Sequence, residues 1–168
     1  MKPFKSITLL ALLLISTSPL FTQAQTSKLN SLSVTGEVKM SLTLTTKDLD
    51  KMAKTELNAT DHDEKEHKYS GVELAVILKQ AGVTLGAELR GKNAAKFLLV
   101  SATDGYRVVF SLAEVDPEFS QKKILLATRK DGSLLPESEG PFKIIIEGEK
   151  KKARFIRQIN SIQIKYAQ

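Results

Sequence analysis

The chain has 168 residues, 42% of them hydrophobic and 26% charged, with a formal charge of +6. That balance excludes a disordered chain and predicts one globular domain. There is no cysteine, which excludes disulfides, thiolate metal sites, cysteine nucleophiles and a cysteine-borne lipid; with no tryptophan either, an aromatic platform must come from Phe, Tyr or His.

Met1 to Ala24 reads as a secretory signal peptide, with an uncleaved anchor as the alternative. Lys2 and Lys5 form a basic start, Ile7 to Ile15 is an apolar run broken only by Thr8, and Thr22-Gln23-Ala24 supplies small residues around a cleavage point. The run is shorter than the roughly 20 residues that span a bilayer, and no later segment is long or apolar enough. The expected organisation is therefore a signal peptide over 1–24 and a single domain over 25–168. The mature protein would be periplasmic or secreted from a bacterium, and not embedded in a membrane. Export without cysteine suits a bacterial periplasm. Cleavage would remove Lys2 and Lys5 and no acid. The remaining positive excess is modest and does not argue for nucleic acid.

Asn30 to Thr46 predicts two strands, Leu32 and Val34 alternating before Gly36, and Met40, Leu42 and Leu44 after it. Thr46 precedes a short helix over Lys47 to Met52 with an acidic first turn. Leu57 to Lys68 is polar and reads as a strand end followed by an exposed loop. Ser70 with Glu73 predicts a capping box for the next helix. Its buried stripe is Leu74, Ile77, Leu78 and Ala81, and Gly82 sits at the terminating position. Lys96 to Ala102 and Tyr106 to Phe110 are strands around the turn Thr103-Asp104-Gly105. Ser111 to Val115 is a short helical segment stopped by Pro117. Ile124 to Thr128 is an apolar strand, with a turn at Asp131-Gly132; Phe142 to Ile146 is another strand. Ile162, Ile164 and Tyr166 share one face of a closing strand. The fold class is α+β, with mixed sheets and a few short helices.

No phosphate-binding glycine loop, nucleophile elbow or paired-histidine zinc helix occurs. The cluster Asp61, His62, Asp63, Glu64, Glu66 and His67 has the residue types of a divalent metal site. In a loop without rigid geometry it reads instead as solvated charge. His67, beside Tyr69, either faces a pocket or closes the loop by a hydrogen bond. Lys150, Lys151, Lys152, Arg154 and Arg157 form the densest charge in the chain, a solvated turn or an anion site. Arg154 and Arg157 would share a face on a helical turn and diverge on a strand. Without interleaved aromatics the run does not read as a nucleic-acid surface.

Several stretches, taken in order, resemble the molybdopterin-binding domain of the sulfite oxidase type. They are Val34-Thr35-Gly36-Glu37-Val38, Leu42-Thr43-Leu44 with Asp48-Leu49, and Tyr69-Ser70-Gly71-Val72-Glu73-Leu74 with Ile77-Leu78 and Ala81-Gly82-Val83. Then follow Val100 to Tyr106, Leu126-Ala127-Thr128 with Asp131-Gly132 and Leu135-Pro136, Gly140-Pro141-Phe142, and Ala153-Arg154-Phe155-Ile156-Arg157. The resemblance covers about Leu32 to Tyr166 and implies a sulfite-oxidase-like fold. It also implies that catalytic members hold molybdenum through a cysteine between the first short helix and the Tyr-x-Gly-Val stretch. Here that interval, Thr55 to Lys68, has none, and hydroxyl or amide groups replace a soft anionic thiolate poorly.

The chain is similar to a short, exported, cysteine-free branch that binds a simple pterin without metal and acts through a membrane-bound signalling partner. The expected function is a non-catalytic module binding a pterin-like small molecule, as a sensor or accessory subunit. The alternatives are a molybdopterin-dependent oxidoreductase with an atypical non-cysteine ligand, and an interaction protein that has lost the cleft. The resemblance brings together six ligand-binding candidates. Ser101 and Asp104 would meet the polar edge of the ring, and the Asp104 carboxylate suits the N–H groups of an amino-pyrimidinone. Tyr106 or Phe155 would stack. Arg154 would bind a ring oxygen or polar side chain, and His67 would close the opposite wall. Turn chemistry for Asp104 and core packing for Tyr106 and Phe155 are the alternatives. No residue is assigned a catalytic or metal-binding role.

Overall fold

The computed structural model describes residues 30–167. The signal peptide expected over Met1 to Ala24 lies outside the described residues. No helix among the described residues is long and apolar enough to cross a membrane.

Two five-stranded sheets carry the fold. The first has the order β2 (Leu42–Thr45), β1 (Ser31–Gly36), β10 (Ile159–Tyr166), β5 (Lys96–Ala102), β6 (Arg107–Ser111). Its β1–β10 pair is parallel and the others antiparallel, so the sheet is mixed. The second joins β3 (Thr55–Thr60), β4 (Glu66–Glu73) and β7 (Ile124–Lys130). The free side of β7 takes β8 (Ser133–Leu134) at one end and β9 (Lys143–Ile146) at the other. Among the described residues three short α-helices accompany them: α1 (Thr46–Leu49), α2 (Leu74–Gln80) and α3 (Leu112–Val115).

The periodicities place the core. Leu98, Val100 and Ala102 alternate inward on β5, and Ile159, Ile162 and Ile164 lie buried on β10. Ile124 to Thr128 is buried at every position, as a continuous apolar run covered on both faces should be. The α2 stripe Leu74, Ile77, Leu78 and Ala81 is fully buried. That helix ends in a Schellman turn: Gly82 N–H donates to Lys79 O and Val83 N–H to Leu78 O, both at 3.0 Å. Gly82 has φ +69°, the left-handed conformation this stop requires.

Three local expectations are corrected. Thr45, not Thr46, caps α1 through a capping box with Asp48. Ser70 caps no helix, because it lies inside β4, paired to Glu56 on one side and Arg129 on the other. Two hydrogen-bonded ladders outcompete a local cap, and α2 begins after Glu73, whose carboxylate accepts from the Thr55 hydroxyl at 2.8 Å. The polar stretch before it is a hairpin and not an open loop: Thr55 to Thr60 pair with Gly71 to Glu66 in continuous register.

Candidate functional site

The tip of the β3–β4 hairpin is a tight turn. Glu64 N–H donates to Asp61 O at 3.1 Å and Asp61 N–H to Lys65 O at 3.0 Å, with Glu64 at φ +60°. Asp61 is 3% exposed, so the acidic cluster is not uniformly solvated. Its Oδ2 accepts from the Tyr69 hydroxyl, from Lys143 Nζ at 2.7 Å and from Lys130 Nζ at 3.1 Å. Its Oδ1 accepts from the His62 N–H at 2.9 Å. Glu139 completes the network, 2.7 Å from Lys143 Nζ. Burial alone would push the Asp61 carboxyl up, but Lys143, Tyr69, the His62 N–H and Lys130 hold it well below the usual carboxylate range. No buried side-chain polar atom lacks a partner among the described residues.

The β5–β6 turn is built by its own polar groups. Gly105 N–H donates to Ala102 O at 3.1 Å, and Asp104 accepts the Tyr106 N–H at 2.9 Å. The other Asp104 oxygen has no partner among the described residues. The Tyr106 hydroxyl donates to Ala153 O at 2.8 Å, tying the turn to the 3₁₀ turn Lys152–Arg154. Thr103 N–H donates to Gln158 O at 3.0 Å, tying it to the start of β10.

Between the hairpin tip, this turn and the basic segment lies a cleft of about 340 Å³. That is enough for a small planar ligand. Asp104 and Tyr106 line one side, and His62, Lys152 and Arg157 supply positive or ionisable groups. Phe155, 4% exposed, and Ile156 form its apolar floor. Other hollows include one of about 240 Å³ beside Pro117 and one of about 470 Å³ beside Leu134. The cleft is distinguished from these by gathering Asp104, Tyr106, Lys152, Arg157 and His62 around an apolar floor.

The six sequence candidates divide evenly. Asp104, Tyr106 and Phe155 line the cleft. Ser101, His67 and Arg154 do not. Ser101 lies on the face of β5 opposite Val100 and Ala102, because strand side chains alternate. The Arg154 guanidinium is committed elsewhere: Glu149 accepts from its Nε and Nη2 at 3.0–3.2 Å, and Glu114 accepts from its Nη1 at 3.0 Å. It also lies 5.1 Å from the Phe110 ring centroid. His67 is clasped by Asp131 at 2.6 Å and Asp63 at 2.9 Å, the loop-closing alternative. The sequence argument missed His62, which only a correct hairpin assignment would put at the tip, and ranked Arg154 above Arg157. Arg157 is exposed and has no ion-pair partner among the described residues.

The two sheets with their few short helices are those of a sulfite-oxidase-like domain, by the family and structural likeness that follow. The sequence profile of the oxidoreductase molybdopterin binding domain matches residues 21–167, and the chain belongs to that family. No curated protein matches the chain. Among solved structures it is similar to the sulfane dehydrogenase SoxCD from Paracoccus pantotrophus. The TM-score is 0.60 at 20% identity, over 80% of this chain and 37% of that chain. The likeness is one of fold, and this chain spans little more than a third of the matched chain.

The residues present fit the two halves of such a cofactor differently. A flat ring fits a cleft with an apolar floor, an aromatic rim and an exposed guanidinium. The metal half would also call for the protein thiolate that the resemblance implies for catalytic members, and the sequence has none to offer. Among the described residues no three His, Asp or Glu side chains are grouped to hold a metal ion. Asp61 and His67, the acidic cluster's most constrained members, are committed to Lys143 and Tyr69, and to Asp63 and Asp131, respectively.

Proposed function

We propose that this is an exported, non-catalytic module that binds a pterin-like small molecule without metal and reports its occupancy to a membrane-bound signalling partner. The carrying observation is the pairing of a lined cleft with a donor set that lacks any thiolate. In this reading the ring lies on the floor formed by Phe155 and Ile156, and Tyr106 bounds it at the rim. The Tyr106–Ala153 hydrogen bond holds that wall in place before ligand arrives, which lowers the ordering cost of binding. The free Asp104 oxygen accepts N–H groups of the amino-pyrimidinone edge. Arg157 and Lys152 meet the ring oxygen or a polar substituent. Each ring polar atom left unpaired on burial would cost about 1–3 kcal/mol, so these few groups set specificity.

Native mass spectrometry of the protein purified from its host's periplasm tests the reading. A bound molecule of pterin mass without metal supports it. Absence of saturable binding to both reduced and oxidised pterins, in well-folded protein, removes it. The family's description as oxidoreductases favours a second reading, a molybdopterin enzyme with a non-cysteine ligand. Stoichiometric molybdenum after cofactor-replete expression would establish that instead.

A further inference from the structure

Two different devices hold the hairpin tip that brings His62 to the cleft. Beneath the tip, Asp61 is buried against Lys143, Tyr69 and Lys130. Its carboxyl is held well below the usual range, so this anchor keeps its charge through the neutral region. At the side, His67 stands between Asp63 of the tip and Asp131 of the β7–β8 turn. Nδ1 is 2.6 Å from Asp131 and Nε2 is 2.9 Å from Asp63. An ionised carboxylate only accepts, and a neutral imidazole has a single N–H to donate. Carboxylates on both ring nitrogens therefore call for the imidazolium. Both acceptors are themselves fixed: Asp131 also accepts the Lys68 N–H at 2.9 Å, and Asp63 the Lys65 N–H at 3.2 Å.

We propose that His67 is a proton-operated latch on one wall of the cleft. Protonated, it clasps the tip to the β7–β8 turn and keeps His62 at the cleft. Deprotonated, it donates to one carboxylate only, and residues 62–65 are free to shift about the Asp61 anchor. The tip also reaches the basic segment through the 3.7 Å pair of Glu64 with Lys152, in which Glu64 is 78% exposed, and that pair is weak.

The charged groups facing His67 are Asp63 on the tip, Asp131 on the turn and Lys130 on β7; the Tyr69 ring meets it edge-on at 6.4 Å. The Lys68 ammonium is turned to Glu56 at 2.6 Å. Asp63 first and then Asp131 raise the His67 pKa above its ordinary value, against burial and Lys130. The latch is thus closed below that raised value, as long as Asp63 and Asp131 stay ionised, and opens as pH rises through it. It stands whatever the cleft binds, so its failure and that of the pterin reading are separable.

Hydrogen exchange of the unliganded protein tests it, comparing the parent with His67→Gln at about pH 6 and about pH 8.5, either side of the ordinary histidine range. At the lower pH, amides of residues 62–65 should exchange roughly two- to fivefold faster in the variant, the scale of one exposed ion pair. At the higher pH the two proteins should converge. In the parent, the Tyr106 and Ala153 amide shifts should inflect at the His67 midpoint. That inflection should vanish in the variant. Equal exchange at both pH values, an undiminished difference at the higher one, or cleft amides indifferent to His67 would overturn the latch. Asp131→Asn decides the case if His67→Gln does not fold: it retains the imidazole and should lower the His67 midpoint, and an unchanged midpoint refutes the clasp.

Discussion

Lys143→Met is the sharpest test of how the cleft's hairpin wall is held. Lys143 is 2% exposed, and its ammonium lies 2.7 Å from both Asp61 Oδ2 and Glu139 Oε2. Methionine keeps much of the stem volume, so packing changes little and the loss is mainly electrostatic. Removing one partner of a buried ion pair costs about 3–5 kcal/mol, because the other charge stays buried. Here Lys130 and Tyr69 still reach Asp61, which places the expected loss near the lower figure, about 3 kcal/mol, or roughly 10 °C in Tm for a domain of this size. Urea unfolding at neutral pH measures it. The companion is the double variant Asp61→Asn with Lys143→Met. With both charges gone, it should recover part of the loss, a coupling of about 1–2 kcal/mol. A second signature is in acid. The folded Asp61 pKa is depressed, so its contribution is complete above the unfolded value of about 4 and is lost only as pH falls through the folded one. Without Lys143, burial is less opposed, the folded value rises, and acid unfolding should begin at higher pH. A loss under about 1 kcal/mol, or strict additivity in the double variant, would refute an ionic anchor.

Four further substitutions follow from the same geometry. Glu64→Gly should stabilise by about 0.5–1 kcal/mol, because Glu64 occupies φ +60°, where a side chain is penalised; a lower urea midpoint would contradict this. Gly71→Ala should destabilise by about 3 kcal/mol or prevent folding, since its Cβ would run into the Leu126 carbonyl across the β4–β7 ladder; expression and thermal melting decide it. Arg154→Ala should cost about 1–3 kcal/mol by freeing Glu149 and Glu114 and uncovering Phe110, yet leave pterin titrations unchanged in the folded fraction. Arg157→Ala should do the reverse, with stability within about 0.5 kcal/mol and, under the proposed function, roughly tenfold weaker binding by calorimetry, one lost charged hydrogen bond.

Elements with a strong local signal were legible. The α2 stripe, its Gly82 stop, the Ile124 to Thr128 run and the Asp131-Gly132 turn stand where periodicity and turn chemistry put them. Asp131 and Gly132 both have positive φ, +51° and +82°, as the two-residue hairpin turn demands. The β3–β4 hairpin carried no such signal. In β3 Leu57 is the one buried residue, so the alternation that marks a strand is nearly blank. The ordered register comes from β7 on the far side of β4, a contact between positions about sixty residues apart that no local pattern encodes. Ser70 was misread for the same reason, its cap chemistry being real but overruled by two ladders.

That single misreading accounts for much of the difference between the inferred and observed cleft. Once residues 55–73 are a hairpin, Asp61 to Lys65 must be its tip and His67 must lie on a strand. A histidine on β4 faces the neighbouring β7–β8 turn, where Asp131 meets it; a histidine at the tip is free to meet the other sheet, and His62 does. The two arginines separate by an analogous argument. The short 3₁₀ turn ends at Arg154, which pairs back to Glu149 within its own loop, while Arg157 lies beyond the turn, lines the cleft and has no ion-pair partner among the described residues. Spacing says that two cations are near one another; only the carboxylates folded against them decide which remains available to a ligand. By that criterion, the charges that matter for binding are those left unmatched, and Arg157, the second Asp104 oxygen and His62 are the unmatched groups of the cleft.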